Sequence, residues 1–188
     1  MRALLKLNLA PGKDIEILTY NDSNTLYFFD EIEVIAHINQ NNFILFKDFL
    51  CEGITAFRNM LLKAVDFELQ IDPASIPHGL GYRWNIICYN IANIINADEE
   101  DTTSPYSLWH TTSEFLKSTW VYNIGKKIFI EISPDYKWIF LEPTPDDNYI
   151  EFNEFLNNYQ VLEVIEVDSA TVRQWVEECA NIIEGLEK

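Results

Sequence analysis

The hydrophobic pattern of this chain changes period after residue 38, so the fold must contain both strands and helices. Up to that point the spacing is two. Ala3, Leu5, Leu7 and Leu9 fall on one face of a strand over residues 2–9, which Pro11-Gly12 ends. Ile15 and Ile17 are in phase in a second strand over residues 14–20. The cluster Asn21-Asp22-Ser23-Asn24 is turn chemistry. The even positions Leu26, Phe28, Ile32, Val34, Ala36 and Ile38 predict a third strand, bent near Asp30. Three successive strands with short turns read as an antiparallel meander.

Beyond residue 38 the spacing becomes helical. Phe46, Leu50, Ile54, Phe57, Leu61 and Val65 recur every three or four residues and predict a helix over 43–67, capped by Asn41 or Asn42. Gly53 inside it costs about 1 kcal/mol relative to Ala, which close approach to a neighbour would justify. Residues 70–83, with Pro73, Pro77, Gly79 and Gly81, read as a loop. Trp84, Ile87, Cys88, Ile91, Ile94 and Ile95 fit a helix over 84–97, with Asn85, Tyr89, Asn93 and Asn96 on its wetter side. Acidic residues 98–101 and the following Thr/Ser/Pro run form a solvated connection.

The last third mixes both periods. A short strand is expected over 108–111. Residues 119–122 and 127–132 flank Asn123-Ile124-Gly125-Lys126 as a hairpin, and a further strand follows over 138–141. A short helix is expected over 150–159 and a strand over 161–167. Asp168 or Ser169 caps a closing helix with the stripe Val172, Trp175, Val176, Cys179, Ile182, Ile183 and Leu186. The expected fold is α+β, a single domain over residues 1–188: an antiparallel sheet, a long central helix and a C-terminal helix packed on it. A chain of this length can bury about 70% of its unfolded surface.

Charge narrows the function. The chain carries 30 acidic against 13 basic side chains, a net charge of −17. Such a surface repels nucleic acid and anionic lipid, and steers basic partners towards it. No basic stripe for phosphates is present, so neither a nucleic-acid nor a membrane partner is expected. The surplus peaks between Trp138 and Val172, where Glu142, Asp146, Asp147, Glu151, Glu154, Glu163, Glu166 and Asp168 meet no Lys or Arg. Trp138, Phe140, Tyr149, Phe152, Phe155 and Tyr159 are threaded among them. Two readings fit this stretch: a solvated face over core aromatics, or an interface in which aromatics supply energy and acids supply rate and specificity. On the second reading the contact residues are Glu142, Asp146, Asp147, Tyr149, Glu151 and Glu154.

No catalytic motif competes with that signal. Cys51, Cys88 and Cys179 are isolated and flanked mostly by apolar residues, so three buried reduced thiols are expected, with no disulfide framework and no metal site. His37, His78 and His110 sit at no ligand spacing. His78, in Pro-His-Gly-Leu-Gly, is the least structural of them because loops often host function. Gly79-Leu80-Gly81 lacks the rest of a phosphate loop. Glu131 and Asp135 form one of many conceivable carboxylate pairs. No cofactor is expected. Lys6 and Asn8 interrupt the N-terminal apolar residues, and no apolar run nears the roughly 18 that cross a bilayer, so a cytoplasmic protein is expected.

Residues Thr119-Trp120-Val121-Tyr122-Asn123, then 129–138 (Phe-Ile-Glu-Ile-Ser-Pro-Asp-Tyr-Lys-Trp), Glu142-Pro143 and 152–159 (Phe-Asn-Glu-Phe-Leu-Asn-Asn-Tyr) carry a resemblance. The segment resembles small bacterial proteins of polymorphic toxin systems, which look like immunity proteins. The resemblance implies a protein that binds and neutralises a cognate toxin, often a basic nuclease; it carries over no functional residue. Two other readings stand beside it: a hydrolase using His78 or His110 with a nearby acid, and an oligomeric scaffold or adaptor.

Overall fold

The computed structural model describes residues 1–95, 98, 100–110, 116–139 and 141–187. Four strands open the chain: β1 (Arg2–Ala10), β2 (Lys13–Thr19), β3 (Glu31–Ile38) and β4 (Asn41–Phe49), paired in chain order and all antiparallel. Leu7, Ile15, Ile17, Val34 and Ala36 bury one face completely. The opposite face carries a ladder of ion pairs, Lys6 with Asp14 (3.3 Å) and Glu16 (4.0 Å) and Lys47 with Glu33 (3.2 Å), and His37 Nε2 lies 3.4 Å from Glu16. The third strand is shorter than its alternation implies. It begins only at Glu31, and residues 21–30 form a loop.

The expected helix over 43–67 divides in two. Its first part is β4, including Phe46 and both candidate caps Asn41 and Asn42; its second part is α1 (Leu50–Val65). No side chain caps α1. Its leading N–H groups donate instead to backbone carbonyls of the 21–30 loop, Leu50 to Asp30 (2.8 Å) and Cys51 to Phe28 (3.1 Å). A strand can therefore run straight into a helix with no sequence punctuation. Gly53 faces Phe46 and Ile32, as close approach requires: a Cβ there would lie 2.7 Å from Phe46 Cε1 and 2.8 Å from Ile32 Cδ1. Gly53→Ala is expected to destabilise by about 1–3 kcal/mol through overpacking, despite its better helix propensity. A urea midpoint at or above that of the wild type would count against this packing.

Where a single sheet was expected, the rest of the chain builds a second antiparallel sheet. Its members are β5 (Ser107–His110), β6 (Lys117–Ile124), β7 (Lys127–Pro134) and β8 (Glu163–Val167), again in chain order. The β6–β7 hairpin turns at Gly125, whose φ of 60° suits glycine. Both faces of this sheet are covered at its central strands, while Val164 and Glu166 of β8 stay exposed on one of them. Val121, Ile128, Ile130, Ile132, Ile165 and Val167 join one hydrophobic cluster with the first sheet, α1 and the closing helix α4 (Ser169–Glu184). Phe57 links these layers, stacking on Trp109 (5.0 Å) and Trp175 (6.5 Å). Trp120 and Tyr122 point to the other face, into a cluster with Ile76 and Leu80 of α2 (Leu80–Ala92). Asp168 caps α4, accepting from the Ala170 and Thr171 N–H groups. Among the described residues the class is α+β, with both sheets antiparallel.

The start of α2 depends on β7. Glu131 is fully buried, and its carboxyl oxygens accept the N–H groups of Leu80 (3.1 Å) and Gly81 (3.0 Å) and the Ser133 hydroxyl (2.6 Å). A helix N-terminus concentrates partial positive charge, and here a strand supplies the anion. Asn85, also fully buried, ties α2 to the segment after β7 by donating to the Pro134 carbonyl (3.1 Å) and accepting from the Tyr136 N–H (2.6 Å).

Candidate partner-binding surface

No strand forms at 138, 139 or 141, the described residues of the strand expected over 138–141. Lys137–Ile139 is a short 3-10 turn, and Phe140 lies outside the described residues, as do Asn96 and Thr111 of the other expected elements. Pro143 and Pro145 remove two backbone donors, which disfavours a ladder in this segment. Residues 141–151 instead form an irregular loop leading into α3 (Phe152–Asn157).

This loop is pinned from within. Asp147 accepts from the N–H (2.9 Å) and hydroxyl (2.8 Å) of Thr144 and from Lys137 Nζ (2.7 Å). The Lys137 contact, then the Thr144 bonds, hold its carboxyl well below the usual range, at about 2. Lys137 Nζ also lies 4.1 Å from the Trp138 ring centroid, and Trp138 packs on Tyr149 at 5.8 Å. The Tyr136 hydroxyl donates to the Ile150 carbonyl (2.8 Å). Asp147 is thus occupied in shaping the loop. The other five candidates, Glu142, Asp146, Tyr149, Glu151 and Glu154, are exposed. Leu141 and Ile150 are exposed among them. None of those four carboxylates has an ion-pair partner among the described residues. Beneath the loop lies a cleft of about 320 Å³ lined by Asp135, Lys137, Trp138, Asn148, Ile150 and Phe155.

The remaining candidates fall elsewhere. Glu131 and Asp135 do not act as a pair: Glu131 caps α2, while Asp135 bonds Ser118. Ser118 Oγ lies 2.7 Å from both Asp135 oxygens and 2.7 Å from His110 Nδ1. The order of this chain argues against nucleophilic catalysis. In a catalytic triad the histidine stands between nucleophile and acid, whereas here the serine stands in the middle and is fully buried. Burial pushes the Asp135 carboxyl up to about 7, against the opposing effects of Ser118 and Lys117. His110 packs between the rings of Trp84 (5.0 Å) and Trp120 (5.1 Å), and this desolvation lowers its pKa.

His78 packs on Tyr82 (4.8 Å) and lines a cleft of about 440 Å³ with Gly79, Tyr122, Glu131 and Tyr159. His37 lies on the outer face of the first sheet, bonded to Asn42 (2.8 Å). The cysteines differ from the expectation in one respect: Cys179 is buried, but Cys51 and Cys88 are half-buried at helix surfaces. Burial pushes the Cys88 and Cys179 thiols up to about 12, which leaves little reactive thiolate. Among the described residues no group of three or more His, Cys, Asp or Glu side chains could hold a metal ion.

A second exposed aromatic group lies where the alternation implied a strand. Tyr27 and Phe29 of the 21–30 loop are exposed, as are Tyr20 and Phe49. The sequence does carry a signal for this: Tyr27-Phe28-Phe29 are consecutive, and a strand cannot turn all three inward. Comparison of the chain with protein-family models, with curated proteins and with solved structures finds no match. Among the described residues no helix is long and apolar enough to cross a membrane.

Proposed function

We propose that this protein is an immunity-type inhibitor that binds a basic toxin through the 141–154 surface and occludes its active site. The observation that carries the reading is the combination in one internally pinned loop. Exposed Leu141, Tyr149 and Ile150 share it with Glu142, Asp146 and Glu151, and Glu154 follows in α3; none of these four carboxylates has an ion-pair partner among the described residues, and Glu151 accepts from the Tyr149 hydroxyl (3.3 Å). Aromatic and aliphatic anchors supply affinity once desolvated, while acids steer a basic partner and set its register. A loop already held in shape loses less freedom on binding. The net charge of −17 extends the attraction over the whole molecule.

The reading is tested on the gene immediately upstream. A large secreted protein with a basic C-terminal domain is expected there. That domain expressed alone should arrest growth, and co-expression with this chain should restore it. With the purified pair, Glu142→Lys combined with Asp146→Lys should slow association roughly tenfold or more at low salt and flatten its salt dependence. Unchanged association kinetics would reject this surface. Asp147 is left intact in the design, because reversing it would release the loop itself.

A further inference from the structure

We infer that the protein has a second contact surface, formed by Tyr27, Phe29 and Phe49 at the junction of β4 and α1, which receives a cationic protein surface. The inference rests on the reading that the partner is a basic protein, but it places contact on a different part of the fold.

Phe29 is 72% exposed and Tyr27 44% exposed, and the Phe29 ring meets Phe49 edge-on at 5.5 Å. A single exposed apolar residue is unremarkable, but here the turn that carries Phe29 is held outward from several directions. Asp30 Oδ2 accepts from Asn21 Nδ2 (2.7 Å) and from the Tyr27 N–H (2.8 Å), and the Asp30 N–H donates to the Tyr27 carbonyl (3.1 Å). The Phe28 and Asp30 carbonyls are fixed by the first N–H groups of α1. The Glu187 N–H donates to Leu26 (2.9 Å), and the Phe28 N–H donates to Glu187 (3.3 Å). An aromatic ring presented on so constrained a turn has little freedom left to lose on binding, as an interface anchor requires.

Charge selects the occupant. Glu31, Asp48 and Glu52 are exposed around these rings, and none has an ion-pair partner among the described residues. Among the described residues, two cations reach this region and both are engaged: Lys47 with Glu33 (3.2 Å), lying over the Tyr20 ring (5.6 Å), and Arg2 with the Ser23 carbonyl (2.9 Å). A second copy of this chain docked symmetrically would set the same carboxylates against each other. Lysine or arginine side chains would meet both the carboxylates and the ring faces, which attract cations.

The test uses isotope-labelled protein and a synthetic peptide of alternating arginine and leucine, read by backbone amide shifts. Its counterpart carries glutamate in place of arginine. Shifts at 27–30 and 49–52 with the arginine peptide, fading with salt, and an affinity lowered about tenfold by Phe29→Ala would support the surface. Phe29 is exposed, so the variant should keep the wild-type spectrum elsewhere. Shifts confined to 141–154 would overturn this inference and leave the acidic loop standing. Shifts at neither surface would count against both. Equal binding of the glutamate peptide, or concentration-dependent self-association abolished by Phe29→Ala, would refute the cationic occupant.

Discussion

Glu131→Ala is expected to cost about 3–5 kcal/mol, a large share of the stability of a domain this size. The substitution strips acceptors from the Leu80 and Gly81 N–H groups and from the Ser133 hydroxyl, all buried in the folded protein. Each orphaned buried donor costs roughly 1–3 kcal/mol, and α2 also loses the anion at its positive end. Burial and then the neighbouring Glu131 push up the Tyr122 hydroxyl, which places that ring in the same polar network. Glu131→Gln separates shape from chemistry. It fills the same space, but one oxygen becomes a donor facing an N–H group, so about 2 kcal/mol should still be lost. Urea unfolding of both variants measures this. A glutamine variant as stable as the wild type would show that the carboxyl oxygens do not hold the helix start.

The opposite sign is expected at Asp135. Its folded pKa of about 7 stands above its ordinary value of 3.8, so the folded state binds the extra proton between these limits. Stability from this group is therefore complete below pH 4, declines as pH rises, and is gone above about pH 7. Asp135→Asn carries no such penalty and can still accept from Ser118. It should match the wild type near pH 4 and exceed it by on the order of 3 kcal/mol at pH 8. His110 works in the other direction. Its lowered pKa gives stability that is lost as pH falls through its ordinary range, and Asp135→Asn leaves that acid limb in place. Parallel pH profiles for the two proteins between pH 4 and 8 would contradict the assignment.

What the sequence made legible follows from which partners are local. β1, β2, the β6–β7 hairpin and the Asp168-capped closing helix were all readable, because each element's signal lies within its own residues: alternation, a turn glycine, a capping acid with its stripe. The β4–α1 boundary was not. Phe46, Leu50 and Ile54 keep helical spacing across it, and the carbonyls that satisfy the first N–H groups of α1 come from the 21–30 loop. Glu131 looked like one carboxylate among thirty because the two helix N–H groups it accepts lie some fifty residues away. The acidic loop was legible as composition, but the inward role of Asp147 depends on Lys137 and Thr144 meeting it in space. The exposed rings at Tyr27 and Phe29 were signalled only by three consecutive aromatics inside an apparently regular strand pattern.

Residue 187 hydrogen-bonds residues 26 and 28, so the aromatic turn is secured by a segment about 160 residues further along the chain. Closing so long a loop is among the slower steps a small protein takes. The final clasp on that turn therefore waits until the closing helix has docked. A nascent or half-assembled molecule displays the same side chains on an unfastened segment, so the proposed contact face is complete only once the fold is.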